Sequence, residues 1–323
     1  MDTSIVPAII GCGGIGRLHA AAYANLGYPP KYFVDPVAAA AETLAGVHGG
    51  TTCETWADLP AEVNVVSITT PPDTHYEICR SLLLSGRHVW CEKPLGATTA
   101  EAKELAEIAA ERSLQLLVGF KYHYEAIFAA AFEHLPRIGR VLSASCIKTQ
   151  SYPRKPVDWV ASVGVLPELS IHDIDLLDWY LRRPDDELQL PEVLAAELVY
   201  RFELPAEDQA YLTVRYPSGA IAQIASIFTE ETVFLNRDVL LTVVGDKGFL
   251  RVERPDRLVV HLKEYEEIVV DIGEENPFTA EARNLIEAIA GRQTLRVSPW
   301  SGMLANTVIE QARALAGREG ARS

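Results

Sequence analysis

Lys93 stands in the run Cys91-Glu92-Lys93-Pro94. A protonated amine there can hydrogen-bond an oxygen and stabilise charge that develops on it. Taken alone, a lysine is most often a solvated surface charge. Pro94, however, removes a backbone donor and fixes the chain beside it, so Lys93 reads as held in place. Glu168, His172 and Asp175 occupy positions i, i+4 and i+7, which a helix brings to one face. A carboxylate beside an imidazole orients it and favours its protonated form. His172 is therefore a candidate general base for a hydroxyl proton. The same stretch also reads as a helix N-terminus rich in acids, and spacing leaves both readings open.

A cofactor site is indicated upstream. Gly11-Cys12-Gly13-Gly14-Ile15-Gly16 follows the apolar run Ile5–Ile10 and precedes an amphipathic stretch, Ile15–Leu26. That order is strand, glycine turn, helix. The first glycine makes the bend, the second admits a pyrophosphate to the backbone, and the third lets helix and sheet pack closely. The helix N-terminus then offers N–H groups and partial positive charge to the anion. Asp35 lies 19 residues beyond Gly16, at the end of the next expected strand. A carboxylate there accepts hydrogen bonds from ribose hydroxyls and repels a 2′-phosphate. No Lys or Arg occurs between Asp35 and Arg80, so NAD(H) is expected over NADP(H). The alternative is a turn aspartate before Pro36.

Thr69-Thr70-Pro71-Pro72-Asp73-Thr74-His75 follows a further strand. Prolines stiffen that loop, and Thr69 or Thr70 is placed to bond the ribose. The plain alternative is a proline turn with Asp73 or Thr74 as helix N-cap.

The elements that position these groups alternate strand and helix over the first 120 residues, with strands apolar enough for a parallel sheet covered on both faces. After Gly119 the rhythm changes. A helix over Glu125–Leu135, a strand over Val141–Lys148 and a helix near Leu169–Leu181 are expected. Strand-like runs follow at Ala196–Phe202, Ala210–Tyr216, Ala220–Phe228, Asp238–Val244, Phe249–Val252, Leu258–Leu262 and Ile268–Ile272, then two closing helices. The expected fold is α/β: an N-terminal Rossmann doubly wound parallel sheet, then a C-terminal α+β domain on a large, mostly antiparallel open sheet. The expected division is 1–120 for the dinucleotide and 121–323 for substrate and oligomerisation.

Composition sets bounds. With 323 residues and 48 % hydrophobic content, the chain can bury two cores. A formal net charge of −15, from 44 acidic and 29 basic residues, disfavours nucleic acid and anionic membranes as partners. Five scattered cysteines without a CxxC pair suit reduced thiols in a cytoplasmic protein and argue against a zinc-type dehydrogenase, so no metal is expected. No N-terminal signal pattern and no apolar run of membrane-spanning length is present.

Together these pieces resemble the Gfo/Idh/MocA family of NAD(P)-dependent oxidoreductases. The resemblance rests on the glycine turn, Thr70-Pro71 to His75, Glu92-Lys93-Pro94, Gly119-Phe120 and Ile171-His172-Asp173-Ile174-Asp175. It implies hydride transfer at a CH–OH group of a sugar, sugar acid or cyclitol, and a homodimer or homotetramer through the C-terminal sheet. It assigns the reacting carbinol to Lys93 and His172, assisted by the carboxylate one turn earlier, Glu168. The candidate cofactor set is Gly11, Gly13, Gly14, Ile15, Gly16, Asp35, Thr69, Thr70, Pro71, His75, Glu92 and Lys93. Three departures stand out. The carboxylate before the histidine is usually Asp. The glycine-rich run before it is reduced to Ser162-Val163-Gly164-Val165. The segment after Phe120 reads Lys121-Tyr122-His123-Tyr124, where the family usually carries Arg or Asn. Lys121, His123 and Tyr124 are candidate substrate contacts, or an aromatic helix start. Tyr152, Arg154, Lys155 and Trp159 on the Pro-rich loop, and Asp175, are further candidates. Two other readings stay open: a non-catalytic dinucleotide-binding sensor, and a reductase of an imine or enone.

Overall fold

A computed structural model of the chain describes residues 5–151, 158–182, 188–202, 204–229, 238–263, 265–269, 271 and 276–320. The N-terminal part alternates β1 (Pro7–Ile10), α1 (Gly14–Asn25), β2 (Tyr32–Val34), α2 (Ala38–His48), β3 (Thr51–Cys53), β4 (Val65–Ile68), α3 (His75–Leu84), β5 (His88–Cys91), α4 (Thr99–Glu111) and β6 (Leu116–Val118). Among the described residues these strands form one six-stranded sheet in the order β3-β2-β1-β4-β5-β6, with every pairing parallel. Ala8, Ile9, Val65, Val66, Val89 and Trp90 are fully buried, as strands covered on both faces require. The order reverses between β1 and β4, and the crevice at such a switch point is where this architecture binds ligands.

The chain continues through α5 (Ala126–His134), β7 (Val141–Ser151), α6 (Asp158–Val163), a π-helical turn (Leu166–Ser170) and α7 (Ile171–Leu181). Then come β8 (Glu192–Val199), β9 (Gln209–Arg215), β10 (Ile221–Thr229), β11 (Asp238–Gly245), β12 (Phe249–Glu253), β13 (Arg257–His261) and β14 (Tyr265–Val269), followed by α8 (Pro277–Ile289) and α9 (Pro299–Gly320). The second sheet has the order β14-β13-β12-β11-β7-β10-β9-β8. Its pairings are antiparallel except β7 with β10. The alternation of buried and open positions along β9, β10 and β12 marks one core face and one outer face.

Packing gathers Met1–Tyr124 with Glu274–Met303 into one compact unit, and Glu125–Gly273 with Leu304–Ser323 into another. Within the first unit α8 lies on α1: Phe278 meets His19 with ring centroids 5.5 Å apart. A single cut after residue 120 does not describe this division, because the chain returns to its first unit.

Some elements differ from the sequence expectation. Strand β3 has no apolar run and owes its conformation to pairing with β2. The expected strand at Ala196–Phe202 begins instead at Glu192, where Arg215 opposite pairs with Glu192 at 2.7 Å. The expected strand at Ile268–Ile272 lies earlier, because β14 turns tightly back on β13 with His261 opposite Tyr265. In each case ladder register overrides local hydrophobicity.

Candidate active site

In the first unit, β1 ends at a turn that only glycine can make. Gly11 has φ +91°, and its N–H donates to the Val34 carbonyl at 2.8 Å. A Cβ on Gly16 would sit 2.0 Å from the Gly11 oxygen, so helix and turn pack through bare backbone. Over Gly13 and Gly14 the opposite holds: a Cβ there would meet no atom within 4 Å. Gly13 is the α1 N-cap without a side-chain cap bond, and the first turn carries no acid. Open glycines before an uncapped helix N-terminus fit a bound pyrophosphate.

Asp35 binds the turn as well as standing at the β2 tip. Its Oδ2 accepts from Cys12 N–H at 2.7 Å and its Oδ1 from Val37 N–H at 2.8 Å. A carboxylate has about four acceptor sites, so capacity remains for ribose hydroxyls. Burial, then the Asp35 charge, pushes the Cys12 thiol up to about 12. Thr69 supports the turn from β4, its hydroxyl donating to the Gly11 carbonyl at 2.6 Å. Thr70 Oγ1 meets Thr74 Oγ1 at 2.7 Å. Thr74 stands at the α3 N-cap after a short 3-10 turn, Pro72–Thr74, but its side chain makes no capping bond.

Lys93 follows β5, and its neighbour Glu92 is braced from α1 and by the next backbone N–H. The Glu92 Oε1 lies 3.2 Å from His19 Nε2 on α1, and Oε2 accepts from Lys93 N–H at 3.3 Å. A Cβ on Gly119 would approach that carboxylate to 2.8 Å, so glycine beyond β6 leaves room for it. His19 stacks on Trp90 at 3.5 Å between centroids. Burial pulls the His19 imidazole below the ordinary histidine value despite Glu92. Burial raises Glu92, but the His19 bond, then Lys93 and His75, outweigh it and hold the carboxyl low. The pair is thus a neutral imidazole donating to a carboxylate. His75 bridges the loops on either side, Nδ1 at 2.7 Å from the Pro94 carbonyl and Nε2 at 2.9 Å from that of Thr70.

Lys121–Tyr124 form a 3-10 turn. Tyr124 donates to Asn284 Oδ1 at 2.8 Å, and the His123 carbonyl accepts from Arg296 at 3.3 Å. The Lys121 ammonium stands 5.8 Å over the Phe278 ring. Tyr152, Arg154 and Lys155 lie outside the described residues, as does the Trp159 side chain.

In the second unit the expected straight helix from Leu169 is interrupted. Glu168 sits in the π turn and His172 in the first turn of α7. The Ile171 N–H reaches back to the Leu166 carbonyl, the five-residue spacing of a π turn. Glu168, His172, Asp173 and Asp175 are all buried. The face argument from i, i+4 spacing therefore holds for His172 with Asp175 by helical geometry, while the wider turn alters the offset of Glu168.

Both parts of the chain carry the corresponding family signatures. Residues 5–120 match the Gfo/Idh/MocA model described as "Oxidoreductase family, NAD-binding Rossmann fold". Residues 136–316 match its partner, "Oxidoreductase family, C-terminal alpha/beta domain". The chain belongs to the Gfo/Idh/MocA family. Among its relatives, inositol 2-dehydrogenase of Rhizobium meliloti is 29 % identical over 76 % of this chain and 74 % of its own. Inositol 2-dehydrogenase 3 of Saccharopolyspora erythraea is 26 % identical over 93 % and 89 %. The fold matches the WlbA dehydrogenase of Bordetella pertussis, solved with NADH and UDP-GlcNAcA, at TM-score 0.82 and 20 % identity, covering 99 % and 97 %. As a member of the Gfo/Idh/MocA family the protein is a nicotinamide-dependent oxidoreductase of the dehydrogenase type.

Sequence reasoning missed two residues of this Gfo/Idh/MocA chain. His19, three beyond Gly16, has the look of a core histidine, and its link to Glu92 spans 73 positions. Lys148 is fully buried, its ammonium 3.1 Å from the Leu169 carbonyl and 3.4 Å from Asp173 Oδ1. The available signal was its parity: Ala144, Cys146 and Lys148 share the inward face of β7.

Proposed function

We propose that the protein oxidises a secondary alcohol of a sugar, sugar acid or cyclitol with NAD. His172 takes the hydroxyl proton, Lys93 hydrogen-bonds the same oxygen, and Glu168 assists the imidazole. Bound nicotinamide supplies the hydride chemistry. The residues that would hold the cofactor are the glycine turn, Asp35, the Thr69–Pro71 loop, His75 and the Glu92-Lys93 pair. Asp35, with no Lys or Arg between it and Arg80, favours NAD over NADP. The inositol relatives favour a polyhydroxylated ring. Lys121, His123 and Asp175 are proposed to face the substrate. The Tyr124 hydroxyl, bonded to Asn284, is less suited to that role.

One observation carries this reading. Glu92, the residue before Lys93, is fixed by a buried histidine from the helix of the glycine turn. The amine is thereby tied in sequence and structure to the turn that fits the cofactor. Lys93→Ala and His172→Ala should each lower kcat by roughly 10²–10⁴-fold, and His172→Ala should retain NAD affinity by fluorescence titration. Unchanged turnover of a polyol panel in both variants would remove the assigned roles.

The protein is further proposed to pair with a second copy through the outer face of the eight-stranded sheet. Leu240, Ile147, Ala225 and Tyr211 stand in register across four strands there. Ile147 is 47 % exposed and Tyr211 40 %, large apolar surface to leave open on a sheet.

A further inference from the structure

We propose that Lys148 is a positioning residue that fixes where the π turn ends and α7 begins, and thereby sets Glu168 and His172 relative to each other. The proposal rests on the reading of those two as proton-transfer groups. Lys148 lies at the centre of the second sheet, beside Ser226 on β10 and Val239 on β11, on the face that α7 covers. Its side chain and that of Asp173 are both 0 % exposed. A lysine at a core-facing strand position is costly unless its charge is matched. A methionine would fill similar volume without that cost, so the ammonium calls for a reason beyond packing.

The reason is in what it touches. One contact is backbone: the Leu169 carbonyl at 3.1 Å, directly after Glu168. Another is a side chain: Asp173 at 3.4 Å, directly after His172. Lys148 thus joins the end of the wide turn to the start of the regular helix. At this boundary hydrogen bonding changes from five-residue to four-residue spacing, and carbonyls there lose their regular helical partner. The angle between Glu168 and His172 about the helix axis depends on where the boundary falls. The Asp173 carboxylate is also reached by Ser226 Oγ at 3.5 Å and lies against the Cys146 thiol.

The far end of the turn has its own clamp. Glu207 accepts from the Leu166 N–H at 3.3 Å, and its carbonyl accepts from Val165 N–H at 2.8 Å. Arg313 on α9 donates to Glu207 at 2.8 Å and to the Val163 carbonyl at 2.7 Å. The Glu168 segment is therefore held at both ends, and Lys148 is the tie on the His172 side.

The test compares the wild type with Lys148→Met and with Lys148→Met/Asp173→Asn. The double variant removes the uncompensated buried carboxylate and should recover melting temperature lost by the single one, so it stands in if the single variant does not fold. Amide hydrogen exchange over 166–175 should quicken in both variants, with the glycine-turn region unchanged. With a polyol substrate, kcat should fall on the order of 10²-fold in both, with KM and NAD affinity unchanged. Recovery of kcat together with melting temperature in the double variant would show that Lys148 only balances charge, and would overturn the proposal. Unaltered exchange over 166–175 would overturn it independently of any substrate. Absence of wild-type turnover on every polyol would count against the proposed reaction, while exchange would still decide the role of Lys148.

Discussion

Asp35 has two tasks. Its carboxylate holds Cys12 and Val37 by their N–H groups, and in the proposed function it also discriminates against a 2′-phosphate. Asp35→Asn removes the charge and keeps one of the two oxygen acceptors that hold the turn. Steady-state kinetics should show the NAD over NADP preference in kcat/KM shrinking by about tenfold or more, the scale of a charged hydrogen bond. A preserved preference would leave Asp35 only its hold on the turn. Residues of this kind were legible in the sequence because their chemistry is local. A glycine turn, a carboxylate about 20 residues on, and a Glu-Lys-Pro run announce themselves by spacing. His19 and Lys148 act through partners 73 and 25 positions away, so the chain offers no short pattern to read.

Elements meet at the His19–Glu92 pair, where α1 reaches the end of β5. Burial holds His19 below the ordinary value of about 6.5. The unfolded chain therefore binds that proton first as pH falls, so stability declines with acidification from about pH 6.5 downward. Glu92, held below the ordinary carboxyl value of about 4.3, adds a second loss at lower pH as it is forced to protonate. Melting temperature should thus fall between pH 7 and pH 5. His19→Gln should flatten that slope in part, since His48, His75 and His88, also pulled down by burial, contribute to it as well. An identical slope in His19→Gln would show that the imidazole takes up its proton alike in the folded and unfolded states. At this scale the parallel sheet was legible because its apolar strands alternate with helices of matching period. Strand β3, helix α6 and the start of β8 were not, because register with a partner or a distant clamp decides them. The π turn was equally hidden: helical spacing looks the same until hydrogen bonds show the extra residue.

For the whole molecule, the outer face of the second sheet is the testable surface. Ile147→Asp or Tyr211→Lys should shift sedimentation toward a monomer while leaving NAD binding intact. A wild-type chain that sediments as a monomer at all concentrations would remove the proposed pairing. The change of rhythm after Gly119 foretold a second sheet, but not that the chain would come back. Helix α8 lies on α1, the helix that starts at the glycine turn, and belongs to the same unit. On a ribosome, therefore, the first segment made cannot finish folding first. The helix that would face a dinucleotide waits for residues 277–289 to emerge. Until then its apolar flank stays open to chaperones, and a nascent chain stopped at residue 273 carries a nucleotide fold without its lid of helix.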